Sequence, residues 1–469
     1  MIGPPLPNQV ERRSLPRLQW FLFLTIWFAY GAAINSGNLV AFGLQQAGVE
    51  AYVERHHLYL EGSHVQLLQV QPVVDAFLYN EHIYPGKQPG QFMLGACVYF
   101  PLHALGLSYS SNYLLTAALV TFFTASLVTA ASAIAVFRIA LIFTPESRGI
   151  FWPLLTALIY ALGTTAFAYS GIAWHDSIAT GFLVFAFYLL LRISRKTPGE
   201  RGTNALAVWA AAFLGLTVTT SMLPFFMVVI LLLYFVALRR WNSLPYFILG
   251  GLIGLSPLLA YNALCFGNPL LLPNIAGRYS DTFLHLNWNN FLSKLNFYLR
   301  MSTLYMPVIW FGLVGLLLYP GRLQRERFAI LGMLLALAAY ILNIDANGTC
   351  QYGPRYLLPA LPFASLGLIG FSFFERKGLR WLAGSIVLVC ALISFAINLV
   401  GAMQGAMLCD FPHSAFALYV SQMLHGEMRS YPLAALLVLP LCLSLVLFLQ
   451  ALLNRNPQKT RVLTSVDES

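Results

Sequence analysis

Residues 20–34, WFLFLTIWFAYGAAI, form an unbroken apolar run that passes straight into Asn35-Ser36-Gly37-Asn38. A secretory leader would close its short apolar core with a small-residue cleavage site; this run has none, so it reads as the first retained membrane helix. About 20 helical residues cross roughly 30 Å of hydrocarbon, and apolar runs that can do so recur as far as Leu453. In lipid the backbone must satisfy its own hydrogen bonds, which makes helices the spanning elements.

Working outward from that first run, hydropathy and helix breakers predict spans near 18–34, 113–143, 151–171, 177–192, 205–219, 222–238, 244–261, 302–319, 328–344, 356–374, 379–402 and 431–453. Composition agrees, because 58% of the chain is hydrophobic and 9% is charged, against about 25% charged in an ordinary soluble domain. The expected fold class is all-α: a polytopic membrane protein of about 12 transmembrane helices. One domain accounts for residues 1–469, with a large structured first outward loop over 35–112 and a polar, disordered cytoplasmic tail over 454–469.

The formal net charge of +10 would suggest nucleic acid in a soluble protein, but here its distribution follows the positive-inside rule. Threading the spans from an inside N-terminus puts 20 of the 27 basic residues on the cytoplasmic face and 7 on the other. Both termini are therefore expected in the cytoplasm, with no nucleic-acid partner. Acidic residues run the other way, with Glu50, Glu54, Glu61, Asp75, Asp176 and Asp345 among those outside, so the chemistry is expected to face outward. The cytoplasmic connections are short and carry no Walker-type phosphate loop, which argues against an ATP-driven transporter.

Metal and redox signals are weak. The six cysteines form no CxxC pair, and His56, His57, His64 and His82 do not follow a zinc spacing, so any metal ligands are unknown. No cofactor is assigned, beyond leaving room for a divalent metal ion. Within the first loop, Val40, Phe42, Leu44, Val49, Val53 and Leu58 suggest an interfacial helix, and Phe92 to Leu107 is too short and proline-broken to span. Re-entrant or surface-lying helices are expected there.

Four outward stretches carry candidate chemistry. Asn80-Glu81-His82-Ile83-Tyr84-Pro85-Gly86-Lys87-Gln88-Pro89-Gly90 holds a lysine in a rigid turn at the membrane surface, suited to a lipid phosphate; its plain alternative is a snorkelling interfacial lysine. Tyr169-Ser170-Gly171-Ile172-Ala173-Trp174-His175-Asp176-Ser177 is a short polar hairpin whose aspartate either marks a site or starts a helix. Asn347-Gly348-Thr349-Cys350-Gln351-Tyr352-Gly353-Pro354-Arg355-Tyr356 offers a guanidinium for bidentate phosphate contact, or for structural pairing with Asp345. Tyr261-Asn262-Ala263-Leu264-Cys265-Phe266-Gly267-Asn268-Pro269 by itself says only that a helix ends in a turn, and the loop beyond it contains Arg278.

Taken in order, these stretches resemble the polyprenyl-phosphate-dependent glycosyltransferases of the GT-C superfamily, in particular bacterial relatives of protein O-mannosyltransferases and lipid A aminoarabinose transferases. Tyr84, Lys87 and Pro89 match a Tyr-x-x-Lys-x-Pro turn, and Asp176 matches an aspartate before the fourth helix. Gly353, Pro354, Arg355, Tyr356 and Pro359 match Gly-Pro-Arg-Tyr-x-x-Pro, while Asn262, Phe266, Gly267 and Pro269 match Asn-x-x-x-Phe-Gly-x-Pro. The resemblance implies a sugar donor linked to polyprenyl phosphate, a glycan, lipid or protein acceptor, and a site on the outer side of a bacterial inner membrane.

By the same resemblance, Lys87, Arg355, Tyr84 and His175 would bind the donor phosphate, and Tyr352, Tyr356 and Arg278 the substrate. Many members carry an acidic residue directly after the first helix, where this chain has Asn35-Ser36. An amide cannot take up a proton, so the base is expected among Asp75, Asp176, Glu50 and Glu54, with Asp75 favoured as the carboxylate nearest the lysine turn. The resemblance further implies inversion at the anomeric carbon. A transporter or flippase of lipid-linked sugars, or a non-catalytic accessory protein of the same fold, is the alternative.

Overall fold

The structure is a computed structural model that describes residues 9–41, 43–65, 75–197, 199–277, 285–346, 352–406 and 415–454. Arg278 and residues 455–469 of the expected tail lie outside the described residues. Among those described, eight helices are long and apolar enough to cross a membrane: Tyr113–Phe143, His175–Arg195, Thr203–Thr220, Trp241–Phe266, Gly321–Asn343, Arg355–Phe373, Lys377–Gln404 and Ala434–Leu453. The protein is an all-α integral membrane protein. Only 11% of the Ala434–Leu453 window is buried against the rest of the chain. Its Leu436, Leu439 and Leu443 face outward, an exposure that hydrocarbon accommodates and water does not.

The other expected spans take different forms. The first lies within α1 (Gln9–Ala33). Span 151–171 breaks into Phe151–Leu162 and Thr165–Ser170, where Thr164 leaves the helix and accepts from the Ala166 N–H as a cap. Span 222–238 contracts to Phe225–Ala237. Span 302–319 is a bent pair, Trp288–Tyr305 and Ile309–Leu317, meeting at 108°.

Glycines set the closest helix approaches. Gly250 and Gly254, four apart on one face, bring their helix onto the backbone of Val208 and Ala212, where any Cβ would collide. Without a hydrophobic force between helices in lipid, such small-residue contacts supply packing. The central core gathers Phe137, Trp152, Phe187, Leu190 and Leu366 from four helices.

The described residues of the first loop form helices, as expected there, and add a β-hairpin. After α1 come α2 (Ser36–Ala41) and α3 (Gly43–Glu54), then strands β1 (Ala76–Tyr79) and β2 (His82–Pro85), then α4 (Gly90–Ala104). The α3 and α4 helices run parallel, since Gly48 lies against Phe92, Val49 against Gly95, and the Tyr99 hydroxyl donates to Glu54. Tight packing follows from the two missing side chains at Gly48 and Gly95.

Candidate active site

The hairpin creates the first half of the site. Its two-residue turn, Asn80-Glu81, has φ of 46° and 68°, the left-handed pair whose twist matches antiparallel strands. The register pairs Phe77 with Tyr84 and Ala76 with Pro85. One step further down, the Gly86 N–H donates to Asp75 O at 2.6 Å. Asp75 and Lys87 thus stand at the two feet of one hairpin, with Lys87 Nζ 3.2 Å from Asp75 Oδ2. Partial burial would raise the Asp75 pKa, but the Lys87 ammonium, followed by the Arg355 guanidinium, outweighs it and holds the carboxyl below its ordinary value.

The fourth sequence stretch anchors this hairpin. Helix Leu244–Phe266 ends at Gly267 with φ of 71°, the left-handed stop that glycine adopts without strain. The Asn262 side-chain amide then donates to Pro269 O at 3.0 Å, closing the turn. Phe266 packs against Tyr84 at 5.4 Å and Phe77 at 6.0 Å between ring centroids. Tyr84 is buried in this cluster, and burial, with Cys265 beside it, pushes its phenol up to about 12. It therefore stays neutral at physiological pH.

The lysine turn rests on the end of another helix. A Cβ on Gly90 would collide with Thr220, so only glycine lets α4 begin flat against the terminus of Thr203–Thr220. The next residue, Ser221, donates its hydroxyl to Asp176 Oδ1 at 2.5 Å. Asp176 is 2% exposed, in the first turn of His175–Arg195. His175 Nε2 lies 3.5 Å from Asp176 Oδ1, and its Nδ1 lies 3.3 Å from Gln45 Nε2. An amide nitrogen only donates, so the Gln45 contact puts His175 Nδ1 in the accepting role.

Arg355 completes the group from the far end of the chain. Its guanidinium lies over the rings of Trp174 at 5.1 Å and Tyr356 at 5.3 Å, a planar stacking that lysine would not reproduce. The turn before it is fixed by Tyr352, which is fully buried, packs on Tyr305 at 4.8 Å, and donates its hydroxyl to Ile397 O at 2.6 Å. The structure thus brings together Asp75, Lys87, His175, Asp176, Arg355 and Tyr356. Tyr84 and Tyr352 lie instead in aromatic clusters of their own, with Phe77 and Phe266 and with Tyr305 and Tyr419.

Glu50 and Glu54 form a separate group. Gln46, Glu50 and Glu54 recur every four residues along one face of α3, whereas Gln45 turns to His175. Glu50 is fully buried and accepts from the Ser63 hydroxyl, from the His64 N–H at 2.9 Å and from His64 Nδ1 at 2.8 Å. Ligand atoms of Glu50, Glu54 and His64 lie within 4.8 Å of one another, as a divalent ion requires. Arg55 Nη2, however, lies 3.7 Å from Glu50, and hydrogen bonds already occupy both Glu50 oxygens. In this structure the trio ties residues 60–65 onto α3.

Asn35, where the resemblance implies an acid, is tied down by its bonds. Its Oδ1 caps α2 by accepting from the Asn38 N–H at 3.1 Å, and its Nδ2 donates to Ala402 O at 2.9 Å. The position is a buried staple between the first helix and Lys377–Gln404, and it needs an amide donor. Sequence reasoning missed Gln45 and Ser221, the immediate partners of His175 and Asp176. Neither belongs to a motif, and only their polarity at the edge of apolar helices marks them.

No protein-family profile and no curated protein matches the sequence. Among solved structures, the chain is similar to ArnT from Cupriavidus metallidurans bound to undecaprenyl phosphate, with a TM-score of 0.51 and 13% identity over 92% of this chain and 76% of that one. It is also similar to the Archaeoglobus fulgidus oligosaccharyltransferase in complex with Zn and sulfate, with a TM-score of 0.50 and 13% identity over 83% of this chain. The match spans 54% of the oligosaccharyltransferase. At these identities the likeness is one of fold alone.

Proposed function

We propose that the protein is a membrane glycosyltransferase that moves a hexosyl or pentosyl unit from a polyprenyl-phosphate carrier to an acceptor hydroxyl at the outer face of a bacterial inner membrane. The observation that carries this reading is the convergence of two cations, Lys87 and Arg355, from distant parts of the chain beside the carboxylates of Asp75 and Asp176. The similar ArnT structure holds undecaprenyl phosphate, which suits a site with two cations in an apolar, largely helical protein.

In the proposed reaction the bond between the anomeric carbon and the phosphate oxygen breaks, and a bond from the acceptor oxygen forms on the opposite face. The leaving polyprenyl phosphate gains a negative charge, which Lys87 and Arg355 stabilise; a preorganised donor of this kind contributes about 3–4 kcal/mol. Asp75, half-exposed and ionised, takes the acceptor proton. Its pairing with Lys87 couples the two events: a phosphate bound at Lys87 offsets the ammonium charge and makes Asp75 a stronger base. Asp176, held by Ser221, orients His175 at the donor.

The test is consumption of radiolabelled polyprenyl-phosphate sugars by the purified protein in detergent, across hexose and pentose donors. Release or transfer of sugar supports the reading. Movement of intact lipid-linked sugar between leaflets of proteoliposomes, with no sugar released from any donor, would instead support a flippase.

A further inference from the structure

One buried side chain beside the site has no role in the mechanism above. Gln91, in the first turn of α4, is 0% exposed, and neither its Oε1 nor its Nε2 has a hydrogen-bond partner among the described residues. A buried amide left so is costly, and native interiors rarely retain one without a reason.

Its location follows from packing. Gly95, one turn further along the same face of α4, lies against Val49 of α3. Because the two helices run parallel, Gln91 stands at the level of Gln45, one turn before Val49. Gln45 bonds His175, and its own Oε1 has no partner among the described residues. On the other side, Gly90 touches Thr220, the neighbour of the Ser221 that bonds Asp176. Ser177 Oγ, next to Asp176, is likewise without a partner among the described residues. Three orphan polar groups therefore sit on the helices that carry or touch His175 and Asp176, and one of them, Gln91, is four residues along the chain from Lys87.

The chemistry of these groups selects their ligand. A phosphate would call for cations, whereas a carboxamide presents one acceptor and one donor side by side and is neutral. Adjacent hydroxyls of a sugar, each able to donate and accept, satisfy both amide atoms at once. With a phosphate at Lys87, the sugar attached to it comes within reach of the next helical turn.

We propose that Gln91, with Gln45 beside it, reads the hydroxyls of the transferred sugar and sets donor specificity. This rests on the glycosyltransferase reading for the presence of a lipid-linked sugar, and its test is one of binding as well as turnover. The wild type and Gln91→Met, which has similar volume and no amide, are compared on polyprenyl-phosphate sugars, on donors lacking single hydroxyls, and on bare polyprenyl phosphate. The wild type should prefer the hydroxylated donor over one deoxy analogue by about 10–100-fold, and Gln91→Met should erase that preference. Affinity for the bare lipid phosphate should stay unchanged.

A purely structural glutamine behaves differently. Since Gln91→Met removes an unpaired buried amide, its thermal unfolding temperature should equal or exceed the wild type's, and a marked fall would overturn the proposal. Equal loss on sugar-bearing and bare lipid, or a preference that survives the substitution, would also overturn it. If lipid-linked sugars bind with a preference that depends on Gln91 but none is consumed, the transferase reading fails and the role of Gln91 stands. If the wild type binds bare lipid and sugar-bearing lipid equally, the proposal falls, whatever the turnover.

Discussion

Lys87 Nζ and Asp75 Oδ2 lie 3.2 Å apart at the foot of a four-residue-strand hairpin, where the pairing of Ala76 with Pro85 carries on to Asp75 and Gly86 and sets Lys87 one residue beyond. The pair joins the cation best placed for a phosphate to the carboxylate best placed for a proton. Several expectations for variants follow from this geometry.

Removing either cation should depress donor turnover without unfolding the protein. Lys87→Ala and Arg355→Ala are each expected to lower kcat/KM by about 10²–10³-fold. Arg355→Lys should recover little, because the guanidinium stacks between Trp174 and Tyr356 and a lysine ammonium does not. Steady-state kinetics on a single lipid-linked donor check both.

The acid limb of the pH profile of kcat/KM, which reports the free enzyme, should lie low. Asp75 has its folded-state pKa depressed, so both its ionised form and the stabilisation from its ion pair are present above the unfolded value and are lost only as pH falls through the folded one. Activity should therefore persist down to pH values below the ordinary aspartate range. In Lys87→Gln, the residual activity should show an acid limb shifted to higher pH. An unshifted limb would separate Asp75 from the chemistry.

Asn35→Asp should destabilise the protein and not activate it. The carboxylate would keep the α2 cap but lose the donation to Ala402 O, leaving buried acceptors facing each other at a cost of about 1–3 kcal/mol. Thermal unfolding in detergent reads the loss. A rise in turnover would mean that this position is the missing base.

Glu50→Gln should act on stability rather than on metal content. Glu50 accepts from Ser63 and His64, and a buried acceptor exchanged for an amide with the wrong polarity costs about 1–3 kcal/mol. Exhaustive chelation of the wild type should leave its Tm unchanged, as measured with and without chelator.

The features legible in the sequence are those with local causes. Apolar length and loop charge mark the membrane spans, Lys87 and Arg355 stand out as charges beside Pro and Gly, and Asp176 stands out as a charge at a helix mouth. The hairpin was less visible, because Asn80-Glu81 lacks the glycine that makes the usual two-residue turn obvious. The 108° bend after Tyr305 and the break at Thr164 depend on tertiary partners, which local hydropathy does not register. Gln45, Gln91 and Ser221 gain meaning only through Gly48, Gly90 and Gly95, whose missing side chains let distant helices touch. Asn35 looked like a lost catalytic acid until Ala402, far along the chain, supplied its partner.

The central claim is most directly tested by measuring sugar release from polyprenyl-phosphate donors for the wild type, Lys87→Ala and Asp75→Asn, each shown to be folded by its thermal transition. The account predicts that the wild type consumes at least one donor and that both variants lose that activity by about 10²-fold or more while remaining folded. Undiminished consumption by either folded variant, or none by the wild type across the donor panel, would contradict it.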